Sequence, residues 1–172
     1  MFRKATIYDL DAIAAIYDRI HTQEETGVAV IGWIRDIYPT RQTAIKAIEA
    51  EEMFVCEEDG EILCCGRINQ TQDECYKDGA WQYPVSDNQV MVLHTLVVDP
   101  LRARKGCGTE FLRFYEEYAK EHNCPYLRLD TNARNLRARA FYQKHGYSQV
   151  GIVPCEFNGI AGVDLVLLEK RI

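Results

Sequence analysis

Gly106 and Gly108 stand two positions apart in a basic stretch, Arg102-Ala103-Arg104-Lys105-Gly106-Cys107-Gly108-Thr109, just after Val97-Val98-Asp99-Pro100. A β-branched strand, a glycine turn and a helix start in immediate succession make an anion site. Glycines let backbone N–H groups approach closely, the first helical N–H groups have no internal partner, and the helix dipole adds about half a positive charge there. A G-x-G alone reads equally as a plain turn; its setting between a strand and an apolar helix is what points to phosphate. Two familiar phosphate motifs do not fit. The chain lacks a G-x-x-x-x-G-K-[ST] run, and Phe111 stands where a dinucleotide fingerprint needs its third glycine. The expected ligand is a phosphate carried by some other cofactor.

Farther along, Asn135 and Tyr142 are seven apart, two helical turns, and so share one face. By themselves they read as a helix cap and a core tyrosine. The charge distribution also favours an anionic ligand. Positions 100–145 hold ten basic and five acidic residues, and the rest of the chain holds ten basic and 21 acidic ones, within a net charge of −6. A basic segment in an acidic protein suits a locally held anionic small molecule, and the overall charge argues against a general nucleic-acid binder.

The elements that must position these residues follow from periodicity. A short strand over 2–5 leads to a helix beginning near Leu10, with Thr6 and Asp9 as a weak capping box. Residues 21–40 read as a short helix and loops, and a further helix runs over 40–50. Strands over 53–57 and 62–69 flank an Asp59-Gly60 hairpin turn. A long polar loop, expected from its composition to be mobile, covers 71–87. A strand over 90–98, a helix over 108–121, a strand over 126–131, a helix over 135–145 and strands over 147–153 and 162–169 complete the chain. Alternation along 90–98 places Val92, His94, Leu96 and Val98 on one face. This order predicts an α/β fold with a mixed sheet and no internal repeat.

At 172 residues and 47% apolar content, the chain is long enough for one domain with a buried core, here taken as 1–172. No apolar run reaches the ~18 residues of a membrane span, and the N-terminus has no export-signal pattern, so a cytoplasmic, water-soluble protein is expected. Seven cysteines, an odd number without a C-x-x-C pair, read as reduced and mostly buried thiols, with Cys64 and Cys65 on opposite strand faces. No metal site is expected.

Asn135-Leu136-Arg137-Ala138-Arg139-Ala140-Phe141-Tyr142-Gln143-Lys144-His145-Gly146-Tyr147 matches N-x-x-A-x-x-Φ-Y-x-K-x-G-[FY] at every defined position. With the Gly106-x-Gly108 turn, it resembles the GNAT superfamily of N-acetyltransferases, and Gly32-Trp33, Tyr38-Pro39 and His94 to Pro100 look like a bacterial branch of it whose members are mostly uncharacterised. The family's pyrophosphate loop reads Gln/Arg-x-x-Gly-x-Gly/Ala. Its first position falls on Ala103, a departure flanked by Arg102 and Arg104. The resemblance implies a GNAT-like fold with about seven strands, mostly antiparallel and splayed at the centre, and about four helices.

It further implies acetyl-CoA as co-substrate and direct attack of a neutral primary amine on the thioester through a tetrahedral intermediate. Pantetheine would pair with the backbone of Leu96, Val97 and Val98, and the pyrophosphate would rest on Arg104, Lys105, Gly106, Cys107, Gly108 and Thr109. Asn135 would bind the cofactor, and Tyr142 would protonate the departing thiolate, since a phenol with pKa near 10 keeps its proton at pH 7. The base is open between Asp130, at a position where family members acting on protein N-termini carry Glu, and His94. For both, a structural role is the alternative. At pH 7 deprotonation costs about 1 kcal/mol for an α-amine and about 4.6 kcal/mol for a lysine-like amine.

Residues 21–40 and 71–87 are expected to build the acceptor pocket, with Glu24, Glu25 and Asp36 to attract an amine and Trp33, Tyr38, Trp81 and Tyr83 to line a slot. Solvated acids and core aromatics are the commoner outcome for such residues. The acceptor is a small amine, amino acid, antibiotic or peptide or protein amine, and a homodimer is compatible with the family. A non-catalytic acyl-CoA-binding or sensor domain is the alternative function.

Overall fold

β-branched alternation and 3.6-residue apolar stripes resolve into seven strands and four helices among the described residues, 1–102 and 106–172, of the computed structural model. The strands are Phe2–Lys4 (β1), Met53–Glu58 (β2), Glu61–Asn69 (β3), Val90–Val98 (β4), Tyr126–Asn132 (β5), Ser148–Phe157 (β6) and Ile160–Arg171 (β7). The helices are Leu10–Glu25 (α1), Arg41–Glu49 (α2), Cys107–Glu121 (α3) and Leu136–Lys144 (α4). One sheet holds all the strands in the order β1-β2-β3-β4-β5-β7-β6. Its pairs are antiparallel except β4 with β5.

Both sheet faces are covered. On one, Phe111, Leu112 and Tyr115 of α3 and Tyr142 of α4 pack with Phe54, Leu93, Leu129 and Val166. On the other, Ile13, Ile16 and Tyr17 of α1 and Ala44 and Ala47 of α2 pack with Met53, Val55 and Val97. A further apolar group on that side joins Tyr76, Val90 and Val92 to Leu165 and Leu167. Cys64 and Cys65 do face opposite sides, and all seven thiols are free. No helix among the described residues is long and apolar enough to cross a membrane.

The helix expected within 21–40 is not separate. α1 runs on to Glu25, and 26–40 is loop apart from an Ile34–Tyr38 bridge. Polar side chains explain this. Thr22 and Thr26 hydroxyls donate to carbonyls one turn back, the Glu24 carboxylate receives the N–H groups of Ile31 and Gly32, and Arg35 reaches back to Asp18 and Glu25.

β6 and β7 are longer than their periodicity suggests. They meet at Asn158-Gly159, whose φ angles of 50° and 81° are those of a tight hairpin turn. The polar loop 71–87 is tied down. Arg128 Nη1 donates to Gln72 at 2.6 Å, its Nη2 donates to the Tyr83 carbonyl at 2.9 Å, and its guanidinium lies 4.0 Å over the Trp81 ring. Arg128 is itself paired in the interior with Glu169, which accepts the Gln82 N–H at 2.9 Å.

Two features of β4 shape the site. Thr95 and Leu96 together oppose Gly66, between the pairs Arg67–His94 and Cys65–Val97, and Thr95 has φ 52°. This bulge overturns the expected alternation. Leu93, Leu96 and Val98 face the α3 side, whereas Val92, His94, Thr95 and Val97 face the other. An extra residue in one strand flips everything beyond it. In addition, β4 and β5 pair only from Val90–Tyr126 to Leu93–Leu129. Past those residues the two strands part.

Candidate active site

Asp130 is the first β5 residue beyond the last β4 pair. Its register partner on β7 is Leu167, which places it on the α1/α2 side of the sheet. Burial pushes its carboxyl up to about 7, with the Asp73 charge adding to the rise and a hydrogen bond from Tyr76 opposing it. That bond, Tyr76 Oη to Asp130 Oδ2, is 2.8 Å long. Tyr76 was not singled out from the sequence. Its only signal there is an aromatic in a polar stretch, since it sits in a 3-10 turn, Glu74–Asp78, with no periodicity.

His94 is the first β4 residue beyond the pairing, on the same face. Its tautomer follows from its neighbours. Asn69 Oδ1 accepts the Thr71 N–H at 3.0 Å while Asn69 Nδ2 donates to Glu52 at 2.9 Å, so the amide orientation is fixed. His94 Nε2, 2.9 Å from that same Oδ1, must then carry the proton. Burial and the Arg67 cation hold its pKa down at about 4. Of the two base candidates, Asp130 is the one poised near neutrality.

Tyr142 lies on the opposite face, in the α3/α4 core, and is 8% exposed. Its ring is 5.9 Å from that of Tyr147, and its hydroxyl has no hydrogen-bond partner among the described residues. Burial first, and the Asp130 charge second, raise the phenol pKa above its ordinary value, so the proton is retained. Asp130 and Tyr142 thus flank the parted strands from two sides.

The turn expected to hold phosphate is described from Gly106 onward; Arg104 and Lys105 lie outside the described residues. Gly106 caps α3 at φ 104°, a conformation that favours glycine. The first intrahelical bond runs from the Glu110 N–H to the Gly106 carbonyl, leaving the N–H groups of Cys107, Gly108 and Thr109 without intrahelical acceptors. A Cβ on Gly108 would sit 3.3 Å from the Phe141 ring, so glycine lets α4 close on the start of α3. His145 fastens the same junction. Its Nδ1 donates to the Phe141 carbonyl at 2.7 Å, so its Nε2 accepts from the Thr109 hydroxyl at 3.0 Å.

Arg102, expected as a charge flanking Ala103, is paired with Glu61 on β3. Asn135 Oδ1 caps α4 through the Ala138 N–H at 3.0 Å, leaving its Nδ2 for another partner. Val97 and Val98 pair with β3 on one edge only. Their other edge and that of Leu96 face the parting of β4 from β5, where no strand lies among the described residues.

A cleft of about 580 Å³ opens on the Asp130 side. Tyr38 lines it, bonded through its hydroxyl to Thr95, with the Trp33 ring edge-on at 5.9 Å. The other expected aromatics do not line it: Trp81 covers Arg128, and Tyr83 packs against Tyr126 at 5.2 Å. Glu24 and Glu25 are engaged elsewhere as described, and Asp36 does not line the cleft either. The acidic residues lining it are Asp73 and Glu74. Loop 26–40 closes on the end of β5, where a Cβ on Gly32 would meet Asn132 at 2.2 Å. Among the described residues, no group of three or more His, Cys, Asp or Glu side chains is placed to hold a metal ion.

Comparisons with known proteins fit this geometry. YdhI from Bacillus subtilis is 40% identical over 106 residues, covering 62% of this chain and 55% of that protein. The uncharacterised N-acetyltransferase YhfO from the same organism is 27% identical over 97 residues, covering 56% and 58%. The match to these curated relatives therefore spans about half of their length. An acetyltransferase of the GNAT family from Streptococcus agalactiae superposes with a TM-score of 0.84 at 22% identity, over 100% of this chain and 95% of that one. The yncA protein of Salmonella typhimurium, solved with its cofactor acetyl-CoA, superposes with a TM-score of 0.69 at 17% identity, over 99% and 92%. The acetyltransferase (GNAT) family profile matches residues 12–147. With its parted central strands, glycine-capped helix and family profile over most of its length, the chain belongs to the GNAT acetyltransferase family.

Proposed function

We propose that the protein transfers an acetyl group from acetyl-CoA to a primary amine by direct attack. The observation that carries this reading is the parting of β4 and β5 beyond Leu93 and Leu129, with a carboxyl of pKa about 7 on one side and a protonated phenol on the other. The free edge at Leu96, Val97 and Val98 suits an extended pantetheine arm, and the N–H groups of Cys107, Gly108 and Thr109 suit its diphosphate. A backbone N–H at the bulge would stabilise the oxyanion, a contact worth about 3–4 kcal/mol. Asn135 offers its remaining amide N–H groups to the cofactor.

Asp130 takes the ammonium proton, because a base is most effective when its pKa lies near the working pH. His94, held to Asn69 through its Nε2 proton and depressed to about 4, is a weaker base. Tyr142 gives its proton to the departing thiolate. Titration calorimetry with acetyl-CoA, followed by thiol release across an amine panel, tests the proposal. Binding with release supports it, whereas binding without release from any amine makes the domain an acyl-CoA sensor. Indifference to acetyl-CoA refutes both.

A further inference from the structure

The acceptor cleft carries both signs of charge and one buried group that lacks a partner. Tyr17 of α1 is 2% exposed and lines the cleft, and its hydroxyl lies against the weakly accepting Cys65 thiol with no oxygen or nitrogen hydrogen-bond partner among the described residues. A buried, unsatisfied hydroxyl costs about 1–3 kcal/mol, so such a group facing a cleft is a place for a ligand atom. Arg67 and Lys46 line the same cleft. Glu52 occupies the Nε and Nη2 of Arg67, and its Nη1 has no hydrogen bond among the described residues. Asp73 and Glu74 also line the cleft, Glu74 paired with Lys77, on the loop that carries Tyr76 and its bond to Asp130, which is buried next to the cleft rather than lining it.

A donor hydroxyl in a cleft shared with the Arg67 and Lys46 cations calls for a hydrogen-bond acceptor with negative charge, and the Asp73 carboxylate calls for a cation. A polyamine or polycationic antibiotic would set positive charge against Arg67 and Lys46, which is unfavourable in a partly desolvated site. We infer that the acceptor is a small amino carboxylate, its amine directed to Asp130 and its carboxylate to Tyr17 Oη and the Arg67–Lys46 side of the cleft. This rests on the acetyl-transfer reading above and narrows it to one class of amine. A cleft of about 580 Å³ is within the ordinary range for small-molecule sites.

The test compares kcat/KM for the twenty standard L-amino acids, their C-terminal amides and their decarboxylated amines, alongside spermidine and short peptides. The expected result is that an amino acid is acetylated at least about tenfold more efficiently than its own amide and amine. Tyr17→Phe, which keeps the core ring, should shrink that acid-over-amide preference about tenfold by removing a hydrogen bond to a charged group. Lys46→Gln, on the exposed face of α2, should shrink it less. Preference for spermidine, peptides or the uncharged partners overturns the inference alone, as does an acid preference that neither substitution changes. Absence of acetyl-CoA binding, or of thiol release with every class of amine, overturns the underlying reading as well.

Discussion

Asp130 is held in a state that costs stability and, on the proposed reading, serves chemistry. Its carboxyl titrates at about 7 in the fold against 3.8 for an ordinary aspartate. The folded state therefore binds the extra proton between those values. Stability from this group is fully present below about pH 4 and is lost as pH rises through 7. Asp130→Asn should accordingly raise the melting temperature at pH 8, by up to about 4 kcal/mol of stability, with no gain near pH 4. In the same protein kcat/KM should fall by about 10²–10⁴. Thermal scans at the two pH values and steady-state rates check both halves. With Asp130 as the proposed base, activity would require its ionised form, so the wild-type rate should decline below about pH 7. Tyr76→Phe removes the hydrogen bond that favours the carboxylate, and the acidic limb should then move to higher pH. His94→Ala should leave that limb in place. A Tyr142→Phe enzyme should lose about 10²-fold or more in the chemical step, read by single-turnover quench.

Among the elements, the Arg128 clamp and the β4 bulge do most to build the Asp130 side of the sheet. Arg128 joins β5 to Glu169 of β7 and to both ends of loop 71–87, so Arg128→Met strands a buried carboxylate and releases the loop together. A loss of about 3–5 kcal/mol is expected in urea titration. Gly106→Ala, forced into φ 104°, should cost about 1–2 kcal/mol and weaken acetyl-CoA binding in calorimetry, because it disturbs the first N–H groups of α3. Helix and strand positions were largely legible from periodicity, and so was the Asp59-Gly60 hairpin. The glycine turn leading into α3 and the helix that Asn135 caps and Tyr142 belongs to were legible from motif and spacing. The bulge was not, because Val-Leu-His-Thr-Leu-Val alternates well enough on paper. What displaces it is tertiary: Gly66 opposite has no side chain, and a Cβ there would come within 2.9 Å of the Phe111 ring. Tyr76 and the Arg128 contacts were hidden for a related reason, since side chains in an irregular loop acquire partners only once β5 and β7 lie beside it. Asn135 shows the converse limit, for the residue that completes the family motif also caps α4.

For the molecule as a whole, a net charge of −6 is compatible with an anionic ligand because its positive charge gathers between positions 100 and 145. Acetyl-CoA at 100 times its dissociation constant should stabilise the folded chain by about 2.7 kcal/mol, a rise of about 5–10 °C in Tm by differential scanning fluorimetry. The placement of Asp130 and Tyr142 on the two sides of one sheet has a kinetic corollary. On the proposed reading, donor and acceptor would reach the reacting centre by separate doors, so neither would have to leave before the other arrives. Initial-velocity lines at several fixed concentrations of one should therefore intersect when plotted against the reciprocal of the other, rather than run parallel.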